Sequence, residues 1–451
     1  MPPAAASPAA SPNAVPTRPL VIGLSLSPTW VRAAAWRRPD SRIEEAFGLD
    51  FSVDAARRAE AAHLDFVFKP DALTLDPTVL ATALGFATLD PTVLLSAVAS
   101  HTERIGLIST ASATFAPPYL VAREIQSLDR VSRGRAGLNV VMSLGGQENF
   151  GLAQMPPSDE RFTAAHAWLD DVRALWSSFP GEALVLDREA GRFADVERIR
   201  ALPDLPGRPR GPLDVPGHPG ARIPILQAGG SPAGKDFAAQ HADAVFAAAA
   251  TQASAAGQRE DLRGRAEAHG RSPGGVRLLS GLSMFLARTR DEAFALHAES
   301  IDGSDLPQSL VGLSRLVGID LAALPLDEPI PAALAAGLAR EEAPVSAIAA
   351  LIDAGITPRA LTRHPEGAAS LHWTIIGTPA DAVAQIVARA RAGAMDGFIA
   401  LPSGSWESLA LFLDEVVPAL VDEGLFRERY ETATLAGHLG IGPVPAVDSV
   451  S

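Results

Sequence analysis

No cysteine occurs among the 451 residues, which removes disulfides, thiolate metal sites, CxxC redox chemistry and cysteine nucleophiles together. The ten histidines show no metal-ligand spacing, and neither HExxH nor GxSxG is present, so a zinc enzyme and a serine-elbow hydrolase both lack their signatures. Two tyrosines and six tryptophans leave few platforms for stacking sugars. A glycosidase also needs two opposed carboxylates, and the candidate strand ends offer Asp71 and little else. Basic residues are outnumbered 38 to 52, a net charge of −14, and no Arg/Lys run interrupts that balance. Counterion release therefore has nothing to act on, which excludes nucleic acid as a partner. No window approaches the ~20 uninterrupted apolar residues of a membrane helix, since the longest small-residue stretch, VFAAAATQASAAG, is too polar. The expectation is a cytoplasmic protein that binds neither membrane nor nucleic acid and acts on a small molecule, the lack of cysteine being permissive of that compartment.

What is present is enough apolar residue, 47% of the chain, to bury a large core. The first 18 residues are rich in Pro and Ser without a charged region leading into an apolar one, and read as a flexible tail rather than an export signal. A second tail spans 441–451, leaving residues 19–440 as a single domain. Within it, eight short apolar runs recur: LVIGLSL from Leu20, LDFVFK from Leu64, IGLISTA from Ile105, AGLNVVM from Ala136, IPILQAG from Ile223, DAVFAA from Asp243, VRLLSGLSMFLA from Val276 and DGFIAL from Asp396. Most are continuous rather than alternating, as strands covered on both faces are. Helical patterns lie between them over 54–62, 119–130, 159–178, 232–241, 289–300, 379–392 and 407–423. Strand then helix, repeated, predicts an α/β fold, the (β/α)8 TIM barrel, over an open doubly wound sheet. Two segments, 181–219 and 302–344, are too long for ordinary loops and are expected at the C-terminal rim, where they can cover a site; structural decoration or an oligomer contact is the competing reading.

The most informative stretch is IPILQAGGSPAGKDFAAQHADAVF, a strand running into Gly229 and Gly230, then Ser231 as N-cap and Pro232 as first helical residue. Free N–H groups and the positive end of the helix dipole suit a phosphate there, and Ser231 adds a hydroxyl; an ordinary helix cap is the competing reading. The stretch also fits GxxxxGK, but Asp236 stands where a P-loop places the Mg2+-holding Ser or Thr, and a carboxylate there repels a triphosphate. At other strand ends come Asp71, Thr110 with Ser112, and Asn139 with Ser143, on the barrel face that carries chemistry. Such amides and hydroxyls can bond the edge of a flat polar heterocycle or cap a neighbouring turn. His101, His166 and His241 fall in helical patterns and read as surface or packing residues.

With those residues in view, the chain resembles the nitrilotriacetate monooxygenase (component A) branch of the luciferase-like flavin-dependent monooxygenases from about residue 20 to 440. The resemblance is carried by AAWRRPDS, LDFVFKPDAL, SHTERIGLISTASATFAPPYLVAREIQSLDRVSRGRAGLNVVMSL, SDERFTAAHAWLDDVRALWSSF, ILQAGGSPAGKDFAAQHADAVF, IIGTPADAVAQI and LFRERYETATLAGHLG, in order. It implies FMN, delivered reduced by a separate NAD(P)H:flavin reductase, with its phosphate near Gly230 and Ser231 and its ring near Asp71, Thr110 and Asn139. It also implies a small organic substrate receiving one oxygen of dioxygen, a homo-oligomer (dimer or tetramer), and no metal.

The chain departs from that family at Ser158, where His is usual, and at Phe162, where Tyr is usual, both positions that normally face the flavin. Met142 and Ile399 replace a common Thr and Asn. Loss of an imidazole and a phenol removes a proton carrier and two hydrogen-bonding groups. No catalytic acid or base is assignable. Two other readings stay open: a deazaflavin-dependent hydride-transfer enzyme on the same barrel, and a flavin-binding protein impaired in catalysis.

Overall fold

The eight apolar runs are the eight staves of one closed barrel. In the computed structural model, which describes residues 18–28, 35–220, 222–302, 306–338, 343–364 and 372–442, they form β1 (Val21–Ser25), β2 (Phe66–Lys69), β3 (Gly106–Ser112), β4 (Ala136–Val141), β7 (Ile225–Ala228), β8 (Ala244–Ala247), β9 (Arg277–Leu286) and β11 (Gly397–Pro402). Every neighbouring pair is parallel, and the ring closes where β11 pairs with β1. The predicted α/β barrel is the observed architecture. Of the expected tails, 1–18 and 441–451, all but residues 18, 441 and 442 lie outside the described residues.

Strand alternation sorts the side chains into two cores. Ile22, Leu24, Val67, Leu107, Leu138 and Phe398 face outward under the helices, while Phe66, Phe68, Ile108, Leu226, Leu279 and Ile399 fill the barrel. The floor is plugged by Leu435 from the short helix Leu435–His438. Gly106 and Gly137 make room for it, since a Cβ at either would lie 2.5 or 2.8 Å from the Leu435 methyls.

Three strands escaped the sequence reading. β5 (Leu184–Asp187) and β6 (Arg192–Ala194) form an exposed antiparallel hairpin. β10 (Trp373–Gly377) is parallel to β9 but outside the ring. β9 is ten residues long and changes partners along one edge: Arg277–Ser280 pairs with β8, whereas Leu282–Leu286 pairs with β10. The wall therefore splits at Gly281.

The placement of one insertion is a correction. Segment 181–219 follows the helix Ser158–Ser178, whose C-terminal end points away from the mouth. The Arg200 N–H bonds the Ser178 carbonyl (2.9 Å) and the Gly217 N–H the Phe179 carbonyl (2.9 Å). It lies at the N-terminal end of the barrel, because a chain leaving a helix must return to the start of the next strand, and so it does not cover the mouth. The other insertion, 302–344, begins where the helix Arg290–Asp302 ends, and that helix is tied to the loop after β1 by the pair of its Glu299 with Arg38 (2.5 Å).

Candidate functional site

Four adjacent staves, β2, β3, β4 and β7, bring most of the predicted residues onto one arc of the mouth. Thr110 and Asn139 are paired neighbours on β3 and β4, and both are buried inside the barrel. The Thr110 hydroxyl donates to the Lys69 carbonyl (2.7 Å), and Asn139 Nδ2 donates to Thr110 Oγ1 (3.0 Å). That chain of donors fixes the Asn139 amide and leaves its Oδ1 buried with no hydrogen-bond partner. A buried carbonyl oxygen left alone is costly, and an acceptor of this kind suits a ring N–H of a ligand. Ser112 and Ser143, the other hydroxyls noted at these strand ends, bond each other (2.8 Å).

Asp71 sits just beyond β2, half-buried, where burial raises its carboxyl above the usual range and the charge of Asp90 adds to the effect. Two residues earlier the buried Lys69 ammonium is pushed down to about 8 by desolvation, against the opposing pull of Asp71. Its Nζ donates to Ser27 Oγ (3.3 Å). Both side chains line a cavity of about 110 Å³ between the loops that follow β1 and β2, with Ser27, Arg42 and Phe86 among its walls.

β4 pairs with β7, Asn139 opposite Leu226, which sets the Gly229–Gly230–Ser231 turn beside Asn139's strand. Ser231 caps the helix Pro232–His241, its Oγ accepting the Gly234 N–H at 3.1 Å. Gly230 is exposed, and a Cβ there would meet nothing within 4 Å. Lys235 and Asp236, the residues that evoke a P-loop, turn to Asp261 (3.1 Å) and His269 (3.1 Å). What remains is a capped helix N-terminus with open space before it, the geometry of an anion cradle.

Phe162 joins this cradle. A Cβ at Gly234 would lie 3.4 Å from Phe162 Cζ and 3.1 Å from Ser231 Oγ, so the ring edge borders the first helical turn. Ser158 opens the helix that carries Phe162, Ser158–Ser178, is exposed, and makes no hydrogen bond to the other predicted residues.

Two residues were missed by sequence reasoning. His372, immediately before β10, enters the mouth through the split in the wall and stacks on Phe246 of β8 with ring centroids 4.9 Å apart and planes 16° apart. Only glycine fits beneath it, since a Cβ at Gly281 would be 2.2 Å from His372 Nδ1. The buried Gln227 underlies the glycine turn, with its Nε2 2.4 Å from where a Gly229 Cβ would be; its Oε1 has no partner. His166 and His241, read as packing residues, bond each other (2.8 Å) on the outer wall. Among the described residues no group of His, Asp and Glu is arranged to hold a metal ion, and no helix is long and apolar enough to cross a membrane.

Comparison with known proteins identifies the family. The family described as luciferase-like monooxygenase matches residues 29–396. The chain is 33% identical over 434 residues to the N-acetyl-S-(2-succino)cysteine monooxygenase of Bacillus subtilis (strain 168), covering 93% of this chain and 96% of that one. It is 34% identical over 436 residues to nitrilotriacetate monooxygenase component A of Aminobacter aminovorans, again covering 93% and 96%. Among solved structures, a riboflavin lyase with modified FMN and riboflavin matches with a TM-score of 0.80 at 27% identity, covering 94% of this chain and 97% of that one. With the barrel, the matched length and the relatives in agreement, the chain belongs to the luciferase-like monooxygenase family and is a flavin-dependent monooxygenase.

Proposed function

We propose that this chain is the oxygenase of a two-component system, taking reduced FMN from a separate NAD(P)H:flavin reductase and placing one oxygen of dioxygen on a small organic substrate. The observation that carries this reading is the juxtaposition, on paired strands, of the unpartnered Asn139 oxygen and the Ser231-capped helix. The residues fit the cofactor. Gly230 and Ser231 would hold its phosphate, Asn139 would accept from the ring edge, and Thr110 keeps that amide oriented. Reduced FMN would supply the electrons with which dioxygen is divided between substrate and water.

The protein's own contribution is placement and exclusion of water. Phe68, Phe246 and Leu401 form an apolar floor under the mouth, and such a floor protects reactive oxygen species from solvent. His372 is the imidazole held against this floor, and its ring nitrogens are the atoms we assign to carrying a proton at the reacting centre. The neighbouring cavity of Lys69 and Asp71 is where we place the substrate. The Lys69 ammonium suits a carboxylate, and two relatives are named for acetate- and succinate-bearing compounds.

Anaerobic titration of reduced FMN into the protein tests this reading. Saturable one-to-one binding, weakened in Asn139→Leu and in Ser231→Asp, is expected. Unchanged affinity in both variants would remove the basis for the site.

A further inference from the structure

A second cavity, of about 410 Å³, opens at the end of the barrel away from the mouth. Insertion 181–219 and the segment after it supply one wall, with His218 and Arg222. The helices Pro118–Ser132 and Ser158–Ser178 supply Asp129 and Arg173, and the C-terminal end of Pro232–His241 with the loop beyond the helix Gln252–Ala268 supplies His241 and Arg271.

The charges here do not balance. Arg173 donates to His241 Nδ1 (3.0 Å) and the His241 carbonyl (2.7 Å), and Arg271 to the carbonyls of Ala239 and Ala242 (both 2.8 Å). Neither guanidinium is paired with a carboxylate among the described residues, and burial lowers the basicity of both. Arg222 holds Asp243 Oδ1 (2.7 Å), leaving its Nε and Nη1 donors over, while Asp243 Oδ2 accepts the Ile225 N–H (2.9 Å). Asp129 does not compensate: burial pushes its carboxyl up to about 7, and its Oδ1 has no partner. His218 Nδ1 is likewise buried without one. Capping of a helix C-terminus accounts for Arg271 and part of Arg173. It accounts neither for Arg222, which lies on another segment, nor for two orphaned polar atoms around one cavity.

We propose that this cavity binds a small metabolite bearing an oxyanion, a carboxylate or a phosphate, between Arg173 and Arg222, with His218 completing its hydrogen bonds. Spare guanidinium donors match a planar carboxylate or a phosphate edge. Ser231 and His241 stand at opposite ends of one ten-residue helix, about 15 Å apart at the usual rise per residue, so the cavity is distinct from the phosphate cradle.

Calorimetric titration of the whole chain with inorganic phosphate and with succinate, at constant ionic strength set by chloride, tests this. A saturable site that depends on Arg222 and His218 and persists in Lys69→Met is expected for at least one probe; such a site for succinate alone would identify a carboxylate ligand and for phosphate alone a phosphoester. Arg222→Gln and His218→Gln should each weaken binding by about tenfold or more, the loss of one charge-assisted hydrogen bond. His218→Gln leaves the Arg222–Asp243 pair intact, so a folding defect in the other variant does not obscure the result. Absence of saturation by both probes overturns the proposal. So does retention of full affinity in both variants, or loss in Ser231→Asp alone, which would place the anion at the cradle.

Discussion

Ser231→Asp separates a phosphate cradle from an ordinary helix cap. Asp is as good an N-cap as Ser, so the bond now made by Ser231 Oγ to the Gly234 N–H at 3.1 Å has a ready replacement and the thermal midpoint should hold. Ser231 is exposed, so the new carboxylate acts through a water-like dielectric. About 5 Å from a doubly charged phosphate, it costs about 1.7 kcal/mol at a dielectric constant of about 80. Loss of the hydroxyl donor adds about 1 kcal/mol. Together these weaken FMN by about 50- to 100-fold at the tenfold per 1.4 kcal/mol conversion. Riboflavin, which has no phosphate, should change by less than about threefold on the same scale. Flavin fluorescence titrations at low salt measure both, and the FMN deficit should shrink as added salt screens the new charge. Equal weakening of both flavins, or none, would refute the reasoning, as would a collapse of the thermal midpoint.

Other substitutions probe neighbouring parts of the account. Gly281→Ala places a Cβ 2.2 Å from His372 Nδ1, so the ring must leave its stack on Phe246; turnover should fall steeply while stability drops only by about 1–3 kcal/mol, and full turnover would contradict the role given to His372. Phe162→Tyr adds a hydroxyl at the ring edge bordering Ser231 and Gly234 and should tighten FMN by about three- to tenfold, one hydrogen bond's worth, leaving riboflavin unchanged; equal effects on both would separate Phe162 from the phosphate. His438 donates from Nε2 to the Arg104 carbonyl (2.8 Å) and accepts from Thr432 at Nδ1 (2.8 Å), and burial first, then the charge of Arg427, lowers its pKa to about 4. A histidine held neutral stabilises the fold fully above its unfolded pKa and loses that contribution as acid is added. The stability of the natural chain relative to His438→Gln should therefore fall by about 1.4 kcal/mol per pH unit between roughly pH 6.5 and 4. Parallel denaturation curves at each pH measure it, and a pH-independent difference would contradict it.

The barrel was legible because a parallel sheet buried on both faces demands unbroken apolar runs, and each of the eight was long enough to register. β10 was not, since its five residues alternate buried and half-buried and follow a long insertion. Nor was the hairpin of β5 and β6, whose side chains are largely exposed. The end of the barrel reached by segment 181–219 was readable in principle. An insertion that follows a helix belongs at the N-terminal end, and only one that follows a strand reaches the rim. Strand-end polar residues such as Thr110 and Asn139 were accessible for the same topological reason. His372 was not, because its entry depends on the split between β8 and β10 at Gly281. The arginines of the second cavity come from helices and loops distant in sequence, and no local pattern joins them.

The central claim is tested most directly by turnover with purified flavin reductase, NADH and FMN under isotopically heavy dioxygen, using small carboxylate, sulfur and nitrogen compounds as substrates. The account predicts one heavy oxygen atom per product molecule, dependent on both reductase and FMN. Unlabelled product, or stoichiometric peroxide release with every substrate, would contradict it.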